Sequence, residues 1–300
     1  CVIAGGIRFG NQVESIGERA FAGTVFSGAA ARSAQGYELV TGGGEPIALP
    51  GVTGAVLLPE SVRTLGESAF EGADFQGSSL VIQADVEEIP ARCFAEAKNL
   101  AEASFSGQNL KTIEKEGFYA LTSDGETGVA SGESLLLLPD TVESIGERAF
   151  ASGSESHTAV QALPASLREL GKEAFSGTAL EEGAFPAGLE EIPEQAFAGT
   201  RFGQGNGTVR LPAGLRTIGE AAFAGAQMDQ VQLPDSVEKI GERAFEGCAA
   251  RTVECFETEA AVPEKGKAER RAFADCAHLI SAQLPAGITE LGENLYSGCL

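Results

Sequence analysis

The sequence predicts an α/β repeat solenoid, with short strands on one face and short helices or turns on the other, and two observations predict it. A motif of 22–26 residues recurs in one register along the chain, with an aromatic residue at a fixed place in each copy. Each copy holds one run of alternating apolar and polar residues and one run with the apolar spacing of a short helix. A single copy has too few apolar residues for its own core, so we expect about 11–12 copies to stack on one another.

Composition and charge narrow the class of protein. The chain has 300 residues, and 43 acidic against 21 basic side chains give a formal net charge of −22. A field of that sign repels nucleic-acid phosphates and anionic lipids, so we expect no nucleic-acid partner and no direct membrane insertion. Hydrophobic residues make up 43% of the chain, enough for a continuous core. Only two His are present, so the side chain on which catalytic sites most often depend is scarce.

The register of the repeat is clearest in LPDSVEKIGERAFEGC, residues 233–248. Its Phe245 defines the reference aromatic, and eleven copies carry Phe or Tyr at this place: Phe21, Phe70, Phe94, Phe118, Phe150, Phe175, Phe197, Phe223, Phe245, Phe273 and Tyr296. Five residues before the aromatic, ten of the eleven copies have Ile or Leu, and seven copies have Pro eleven residues before it. This pattern is typical of a solenoid in which equivalent residues of neighbouring copies are in contact.

The first half of each copy predicts a strand. In QVQL, residues 230–233, Val231 and Leu233 alternate with glutamines, and a period of two places both on the buried side. Pro234 lacks the N–H needed to extend a ladder, so we expect the strand to end there.

The second half of each copy, IGERAFEG in residues 240–247, predicts one or two turns of helix. Ile240, Ala244 and Phe245 are expected to face the core because their spacing places them on one side of a helix. Gly247 is expected to close the helix, since glycine adopts positive φ at helix ends at little cost.

The spacing of the copies also predicts the domain organisation. We expect one solenoid over residues 1–300, with a truncated repeat at 1–6 and insertions near 24–55, 121–134 and 256–268. The first insertion contains YELV, which predicts the strand of a degenerate repeat, and the third makes the tenth copy irregular. Neither end shows the polar cap that terminal repeats need, so we expect the chain to be part of a longer protein.

The motif LPxx(V/L)xx(I/L)GxxAFxG(C/T) resembles the repeat of the BspA-like leucine-rich repeat family, and the resemblance covers residues 7–300. It implies a curved, right-handed leucine-rich-repeat superhelix. The family is found in surface-exposed and secreted proteins, several of them adhesins for host matrix proteins or other cells. It has no shared catalytic motif, so the resemblance supplies no active-site residues. The sequence departs from the motif where Pro90, Pro193 and Glu114 replace the Gly, which bears on local shape only.

Six cysteines fall at core positions of the repeat: Cys1, Cys93, Cys248, Cys255, Cys276 and Cys299. The favoured interpretation is that they are structural thiols, which pack as small apolar side chains. A disulfide between stacked copies, such as Cys248–Cys276, is an alternative, because adjacent strands about 4.8 Å apart permit the bond. A metal site is the remaining alternative, although the chain has no CxxC motif.

Other residues with possible chemistry have simpler interpretations. His157 and His278 are expected to be ordinary surface or loop residues. A nucleophilic pair of Cys276 with His278 would need a third, orienting group. The acidic loop 123–133 has oxygen ligands for a hard cation, but its spacing fits no calcium loop, and a solvated insertion is favoured. We therefore expect no catalytic residues, no cofactor and no metal.

The outward strand positions predict a binding face. Their side chains are polar and differ among copies while the inward positions stay apolar, as a protein-binding surface requires, although any solvated sheet shows the same pattern. The candidate ligand-binding residues are Thr208, Arg210, Gln230, Gln232, Thr252 and Glu254, with Leu135 and Leu137 as an apolar anchor on another copy. Ser281 and Gln283 continue the outward positions.

A row of glutamates is expected on the opposite, helical side. Glutamate follows the Ile or Leu by two residues in more than half of the copies, among them Glu18, Glu67, Glu147, Glu220, Glu242 and Glu293. A solvated face that keeps the array soluble is the favoured interpretation, and a strip that steers a basic partner is the alternative.

These observations favour a non-catalytic protein-interaction or adhesion module of a cell-surface or secreted protein. Its expected partner is a protein ligand, such as a host matrix or cell-surface protein, bound through the strand face. One alternative is a structural spacer or stalk that presents another domain of the parent protein, and another is the recruiting module of a secreted enzyme. An extracellular location is expected from the family resemblance, since no signal is visible in the sequence itself.

Overall fold

The structure is a computed structural model that describes residues 2–4, 9–10, 12–27, 37–39, 47–49, 55–123, 134–152, 158–203, 207–258 and 263–299. Within these ranges the chain consists of strands and turns and contains no α-helix. The strands in chain order are β1 Val2–Ala4, β2 Ser15–Ile16, β3 Val25–Ser27, β4 Tyr37–Leu39, β5 Ile47–Leu49, β6 Ala55–Leu58, β7 Thr64–Leu65, β8 Ser79–Ile82, β9 Glu88–Ile89, β10 Glu102–Phe105, β11 Thr112–Ile113, β12 Ser134–Leu137, β13 Ser144–Ile145, β14 Thr158–Val160, β15 Glu169–Leu170, β16 Ala179–Leu180, β17 Glu191–Ile192, β18 Arg201–Phe202, β19 Thr208–Arg210, β20 Thr217–Ile218, β21 Gln230–Pro234, β22 Lys239–Ile240, β23 Thr252–Phe256, β24 Gly266–Ala268, β25 Ser281–Ala282 and β26 Ile288–Leu291.

One ladder, the short-strand ladder, is built from the strands that precede each reference aromatic. Its members are β2, β7, β9, β11, β13, β15, β17, β20, β22, β24 and β26, all parallel where they are hydrogen-bonded. Equivalent residues pair directly, as Ile113 does with Ile145. From β7 to β26 the ladder has ten strands and therefore nine turns, so the predicted repeat solenoid is confirmed as a parallel β-solenoid.

The second ladder, which we call the strand face, consists of two parallel sheets. The seven-stranded sheet contains β6, β8, β10, β12, β14, β16 and β18, and the four-stranded sheet contains β19, β21, β23 and β25. The sheets divide where the chain between Phe197 and Phe223 supplies a strand to each of them, β18 and then β19. An isolated bridge between Ala184 and Arg210 joins β19 to the segment that follows β16.

The helices predicted for the IGERAF runs do not form, and the α/β description was wrong in this respect. The residue two places before the reference aromatic has a φ of 50–58° in every copy: Arg19, Ser68, Arg92, Glu116, Arg148, Glu173, Gln195, Ala221, Arg243, Arg271 and Asn294. A left-handed residue at this place cannot continue a right-handed helix. Each IGERAF run is therefore a corner made of successive turns, and Gly247, with φ 66°, ends a corner where it was expected to end a helix.

Hydrogen bonds between copies replace those of the expected helix. In the second copy, the N–H groups of Ser68, Phe70 and Gly72 donate to carbonyls of the next copy at 2.7–3.1 Å. The alternate N–H groups of Ala69 and Glu71 donate three residues back, at 3.3 and 3.0 Å, and close local turns. Half of the N–H groups of the corner thus donate to the neighbouring copy. In an α-helix the same N–H groups would donate to carbonyls of their own copy and could not join two copies.

The reference aromatics form a column along the axis of the solenoid. Successive ring centroids lie 4.9–5.6 Å apart, with planes inclined by 1–18°, from Phe21 to Tyr296. The nine rings from Phe70 to Phe273 are all 0% exposed. The inward placement of the aromatic is therefore confirmed, and the column is the centre of the hydrophobic core.

The other inward positions of the repeat follow the prediction. Val231 and Leu233 are buried on the strand side, and Ile240 and Ala244 are buried at the corner. β21 ends at Pro234, as expected from its missing N–H. The last copy departs from the pattern, because Leu291 is 63% exposed.

In the described part of the insertion near 24–55, β4 and β5 join neither parallel ladder. β4 contains Tyr37, Glu38 and Leu39 of the predicted YELV strand, but it pairs antiparallel with β5. β2 pairs directly with β7, and Phe21 stacks on Phe70 at 5.1 Å. β4 and β5 therefore fall, in sequence, between two copies that are adjacent in the short-strand ladder, and the described strand of the predicted degenerate repeat is not part of either ladder.

Charged side chains at the left-handed position pair between copies. Glu116, whose side chain is 10% exposed, accepts hydrogen bonds from both Arg92 and Arg148, the latter at 3.2 Å. Arg148 also lies 3.5 Å from Glu173, so four consecutive copies alternate in sign. Hydrogen bonds from Arg92 also lower the pKa of Glu71. These pairs add to the contacts that hold the copies in register, because each cation touches carboxylates of adjoining copies.

A second alternation of charge lies along the short-strand ladder. Two residues before the Ile or Leu, nine consecutive copies alternate between acid and base: Glu14, Arg63, Glu87, Lys111, Glu143, Arg168, Glu190, Arg216 and Glu238. Lys111 lies 2.6 Å from Glu143, whose pKa this hydrogen bond lowers, and Arg216 pairs with Glu238. Opposite charges meet in the parallel register, whereas equal charges at these places would repel.

Candidate binding face

The four-stranded sheet, which we call the polar sheet, holds six of the predicted ligand-binding residues. Its inward side is closed by Val209, Val231 and Val253, all 0% exposed and in register across three strands. Because side chains alternate along a strand, the flanking residues must face solvent. The sequence pattern of single polar residues between valines therefore produces a flat polar surface over a closed apolar layer.

The outward side chains form two rows across the strands. One row contains Thr208, Gln230, Thr252 and Ser281, and the other contains Arg210, Gln232 and Glu254. Thr208, Arg210 and Glu254 are exposed, while the glutamines and Thr252 are half-buried by their neighbours. The structure thus brings all six predicted polar residues into one surface.

Contacts between side chains order this surface without covering it. The Arg210 guanidinium donates to the side-chain oxygen of Gln232 at 3.1 Å and lies 4.0 Å from the centre of the Phe256 ring. The Thr208 hydroxyl donates to Gln230 at 3.4 Å. These contacts fix the position of the cation, which reduces the conformational entropy that a bound partner would otherwise have to remove.

Leu135 and Leu137 lie elsewhere, on the seven-stranded sheet. Both are half-buried and outward, on either side of the buried Leu136. Leu137 is in register with Ser104 and, through it, with Val81 and Leu57, all of them outward. The expected apolar anchor is therefore part of a separate, partly apolar row, and the structure does not bring it together with the polar sheet.

The predicted row of glutamates at the corners is not uniformly acidic. Equivalent places in other copies hold Lys115, Lys172 and Arg270. Lys115 lies 3.0 Å from Glu147, and Arg270 lies 2.5 Å from Glu242. Neighbouring copies thus neutralise part of the row, which weakens the field expected to steer a basic partner.

The thiols differ in their surroundings, and the five described cysteines are free. Cys93, Cys248 and Cys276 are buried, as predicted for structural thiols, whereas Cys255 and Cys299 are half-buried. Burial raises the pKa of Cys255 to about 12. The Sγ atoms of Cys248 and Cys276 are 3.5 Å apart, and the hydrogen bond between them lowers the pKa of Cys248 and raises that of Cys276.

The remaining candidates give no reactive arrangement where the structure describes them. The Cys276 thiol donates to the Phe245 carbonyl at 3.1 Å, while His278 is exposed. His157 and the acidic residues Asp124, Glu126 and Glu133 lie outside the described residues, as does Cys1. Over the described ranges no group of three or more His, Cys, Asp or Glu side chains is arranged to hold a metal ion. No helix within those same ranges has the length and apolar character needed to cross a bilayer.

Two charge patterns on the molecule were not foreseen from the sequence: the pairs at the left-handed position and the alternation along the short-strand ladder. The alternation along the short-strand ladder is visible in the sequence, because its nine residues occupy one place of the repeat and change the sign of their charge at every copy. Aligning the copies and comparing charge at each place would have found it.

The chain matches the sequence model of a known repeat, described as the BspA type leucine rich repeat region, over residues 53–124, 133–250 and 202–300. Among curated proteins no relative matches. The fold is similar to the crystal structure of a leucine-rich repeat protein from Bacteroides ovatus, with a TM-score of 0.54 and 22% identity. That similarity covers 82% of this chain and 64% of the Bacteroides protein, so the chain spans less than two thirds of that protein's length.

Two further crystal structures are more distant. A leucine rich cell surface protein from Faecalibacterium prausnitzii is 20% identical with a TM-score of 0.35, over 99% of this chain and 84% of that one. The pneumococcal vaccine antigen PcpA is 16% identical with a TM-score of 0.31, over 89% of this chain and 82% of that one.

Proposed function

The chain belongs to the BspA-type leucine-rich repeat family, and from this premise we propose that it is a non-catalytic protein-interaction module that binds a protein ligand through the polar sheet. Its proposed setting is the cell surface or the extracellular space, as the resemblance to this family implies, and its proposed role is adhesion. The candidate contact residues are Thr208, Arg210, Gln230, Gln232, Thr252 and Glu254.

One observation supports this proposal above the others: two rows of polar side chains stand in exact register over a buried row of valines. The strands beneath are held by parallel pairing, and the aromatic column fixes their spacing. A partner that docks there would meet a surface already ordered, so little entropy is lost on binding.

The charges of the surface indicate the chemistry of the partner. Arg210 and Glu254 stand in one row, separated by the amide of Gln232. A partner surface with a carboxylate opposite Arg210 and a cation opposite Glu254 would pair with both charges. A hydrogen-bonding side chain between those two groups would fit the amide of Gln232. Arginine held against an aromatic ring is a residue type that often contributes strongly to protein interfaces.

The experiment compares capture of proteins from an extracellular matrix preparation and from serum by the immobilised chain, using wild type and the double variant Arg210→Glu/Gln232→Glu. The matched control is Thr217→Glu/Lys239→Glu, two residues in register on adjacent strands of the short-strand ladder. Both double variants change the net charge by the same amount, so a general electrostatic effect would act on both equally.

We expect the wild type and the control to retain the same specific proteins, and the Arg210→Glu/Gln232→Glu variant to lose them. The loss should exceed tenfold in affinity for any purified partner, since reversing the charge of a contacting arginine costs more than about 1.4 kcal/mol. Equal retention by both variants would show that the polar sheet is not the binding surface. Absence of any specific partner for the wild type would favour the spacer or stalk over the interaction module.

A further inference from the structure

Three cysteines occupy the same place in the last three copies of the repeat. Cys248, Cys276 and Cys299 each follow the reference aromatic of their copy by three residues. The Sγ atoms of Cys248 and Cys276 are 3.5 Å apart, and their side chains are 1% and 0% exposed. We propose that Cys248 and Cys276 form a disulfide that fastens the copy of Phe245 to the copy of Phe273.

The backbones on which these thiols stand are already fixed beside each other. The N–H of Phe245 donates to the Ala272 carbonyl at 2.7 Å, and that of Gly247 donates to the Ala274 carbonyl at 2.8 Å. The sulfur atoms therefore need to approach by only about 1.5 Å to reach the length of a disulfide, which rotation of the two side chains can supply. The hydrogen bond from Cys276 to the Phe245 carbonyl is given up when the bond forms.

The position of the pair is informative because it fastens the ninth copy to the tenth, which is the irregular one. The tenth copy has Ala268 where most copies have Ile or Leu, so less apolar surface is buried there. On its other side, towards the eleventh copy, the tenth copy is also irregular, because the pairing of β24 with β26 shifts register between Gly266 and Lys267. A covalent bond between the ninth and tenth copies would offset this weaker packing, since a disulfide limits the separation of the segments it joins.

The geometry distinguishes this pair from the other cysteines. Cys93 is buried in the third copy, far in sequence from the ninth and tenth copies. Cys255 lies on the strand side of its copy, in β23. Cys299 continues the column and donates to the Phe273 carbonyl at 3.2 Å. The reduced Cys248 is the better nucleophile of the pair, because its contact with Cys276 lowers its pKa.

The oxidant class is a small disulfide such as glutathione disulfide, acting while the last copies fold and the thiols are still accessible. Cys248 first exchanges with it, forming a mixed disulfide and releasing one small thiol. The Cys276 sulfur then attacks the Cys248 sulfur and releases the second small thiol. The two cysteine protons leave with the two released thiols, so the protein is oxidised by two electrons and the small disulfide is reduced.

The experiment refolds the full chain from denaturant in a buffer of reduced and oxidised glutathione, quenches it with acid, alkylates free thiols and maps the digested peptides. We expect a peptide linked through Cys248 and Cys276 and an alkylated Cys93. The oxidised protein should show slower hydrogen exchange than the reduced protein at Lys267 and Glu269, whose N–H groups donate to the Glu238 and Ile240 carbonyls of the ninth copy. The expected slowing is roughly tenfold or more, because separation of these two copies is restricted.

Two control variants sharpen the test. Cys276→Ala should abolish the linked peptide and the slowing of exchange, whereas Cys93→Ala should leave both unchanged. If wild-type Cys248 and Cys276 are both recovered as alkylated thiols after refolding, the proposal is wrong. It is equally wrong if the bond joins Cys276 to Cys299, or if Cys248 is linked to any other cysteine.

Discussion

Truncation of one ring in the aromatic column gives the most direct measure of how far the copies depend on each other. The Phe223 ring is 0% exposed and stacks between those of Phe197, at 5.4 Å, and Phe245, at 5.1 Å. Burial of a phenylalanine side chain contributes about 1.5–3 kcal/mol, and each stacked contact about 0.5–1.5 kcal/mol more. We therefore expect Phe223→Ala to reduce the free energy of unfolding by about 3–5 kcal/mol, in line with other buried aromatic truncations.

The matched control lies at the end of the same column. Tyr296 is 37% exposed and, among the described residues, stacks on a single ring, that of Phe273, at 5.4 Å. Tyr296→Ala should therefore cost about 1–2 kcal/mol, less than half the effect of the central truncation.

Two measurements check this expectation. Thermal unfolding followed by circular dichroism should show a midpoint lowered by about 6–10 °C for Phe223→Ala, at roughly 2 °C per kcal/mol for a chain of this size. Hydrogen exchange should accelerate first in the two copies that adjoin the vacated ring, since solenoid copies contact only their neighbours. An unchanged midpoint, or equal effects of the two truncations, would refute the placement of the column at the centre of the core.

Two further predictions concern a glycine packed against the neighbouring copy and an ion pair. Gly171→Ala should lower the midpoint of thermal unfolding, because the added Cβ would lie 2.3 Å from the Glu147 nitrogen. Gly214→Ala is the control, since its added Cβ would meet its nearest atom at 3.8 Å. In acid, the lowered pKa of Glu71 means that its stabilising effect is complete above about pH 4.3 and is lost as the pH falls through the lowered value. The drop in midpoint between about pH 6 and pH 3 should therefore be smaller in Arg92→Gln than in wild type, and an equal drop would show that this pair does not contribute.

Much of the solenoid could be predicted because equivalent residues repeat. Ten copies with Ile or Leu five residues before an aromatic locate the short-strand ladder and the column together. The alternation of Val231 and Leu233 with glutamines likewise locates the inward and outward sides of the polar sheet, because the period of a strand is two.

The corners could not be predicted from the same patterns. The spacing of Ile240, Ala244 and Phe245 suits a helix as well as a chain of turns, and the left-handed residue is Arg, Glu, Ala, Ser, Gln or Asn in different copies. Only asparagine among these favours positive φ, so composition gives almost no signal. The hydrogen bonds that decide the outcome join residues more than twenty positions apart, beyond the reach of a local pattern.

The candidate site was predictable in its parts but not in its assembly. The polar outward residues could be identified from single strands, whereas their separation from Leu135 and Leu137 depends on where the strand face divides into two sheets. That division arises because the chain between Phe197 and Phe223 supplies both β18 and β19. Nothing in the sequence of these two strands indicates that they belong to different sheets.

The recurrent left-handed residue has a consequence for how the array assembles. Each non-glycine residue of this kind costs roughly 1–2 kcal/mol of backbone free energy, and the described chain contains one in every copy. The hydrogen bonds that offset the cost are made to the adjoining copy, so a lone copy bears the cost without the compensation. Folding should therefore begin at a rare nucleus of adjacent copies and then propagate outward, each new copy adding to an edge that is already formed.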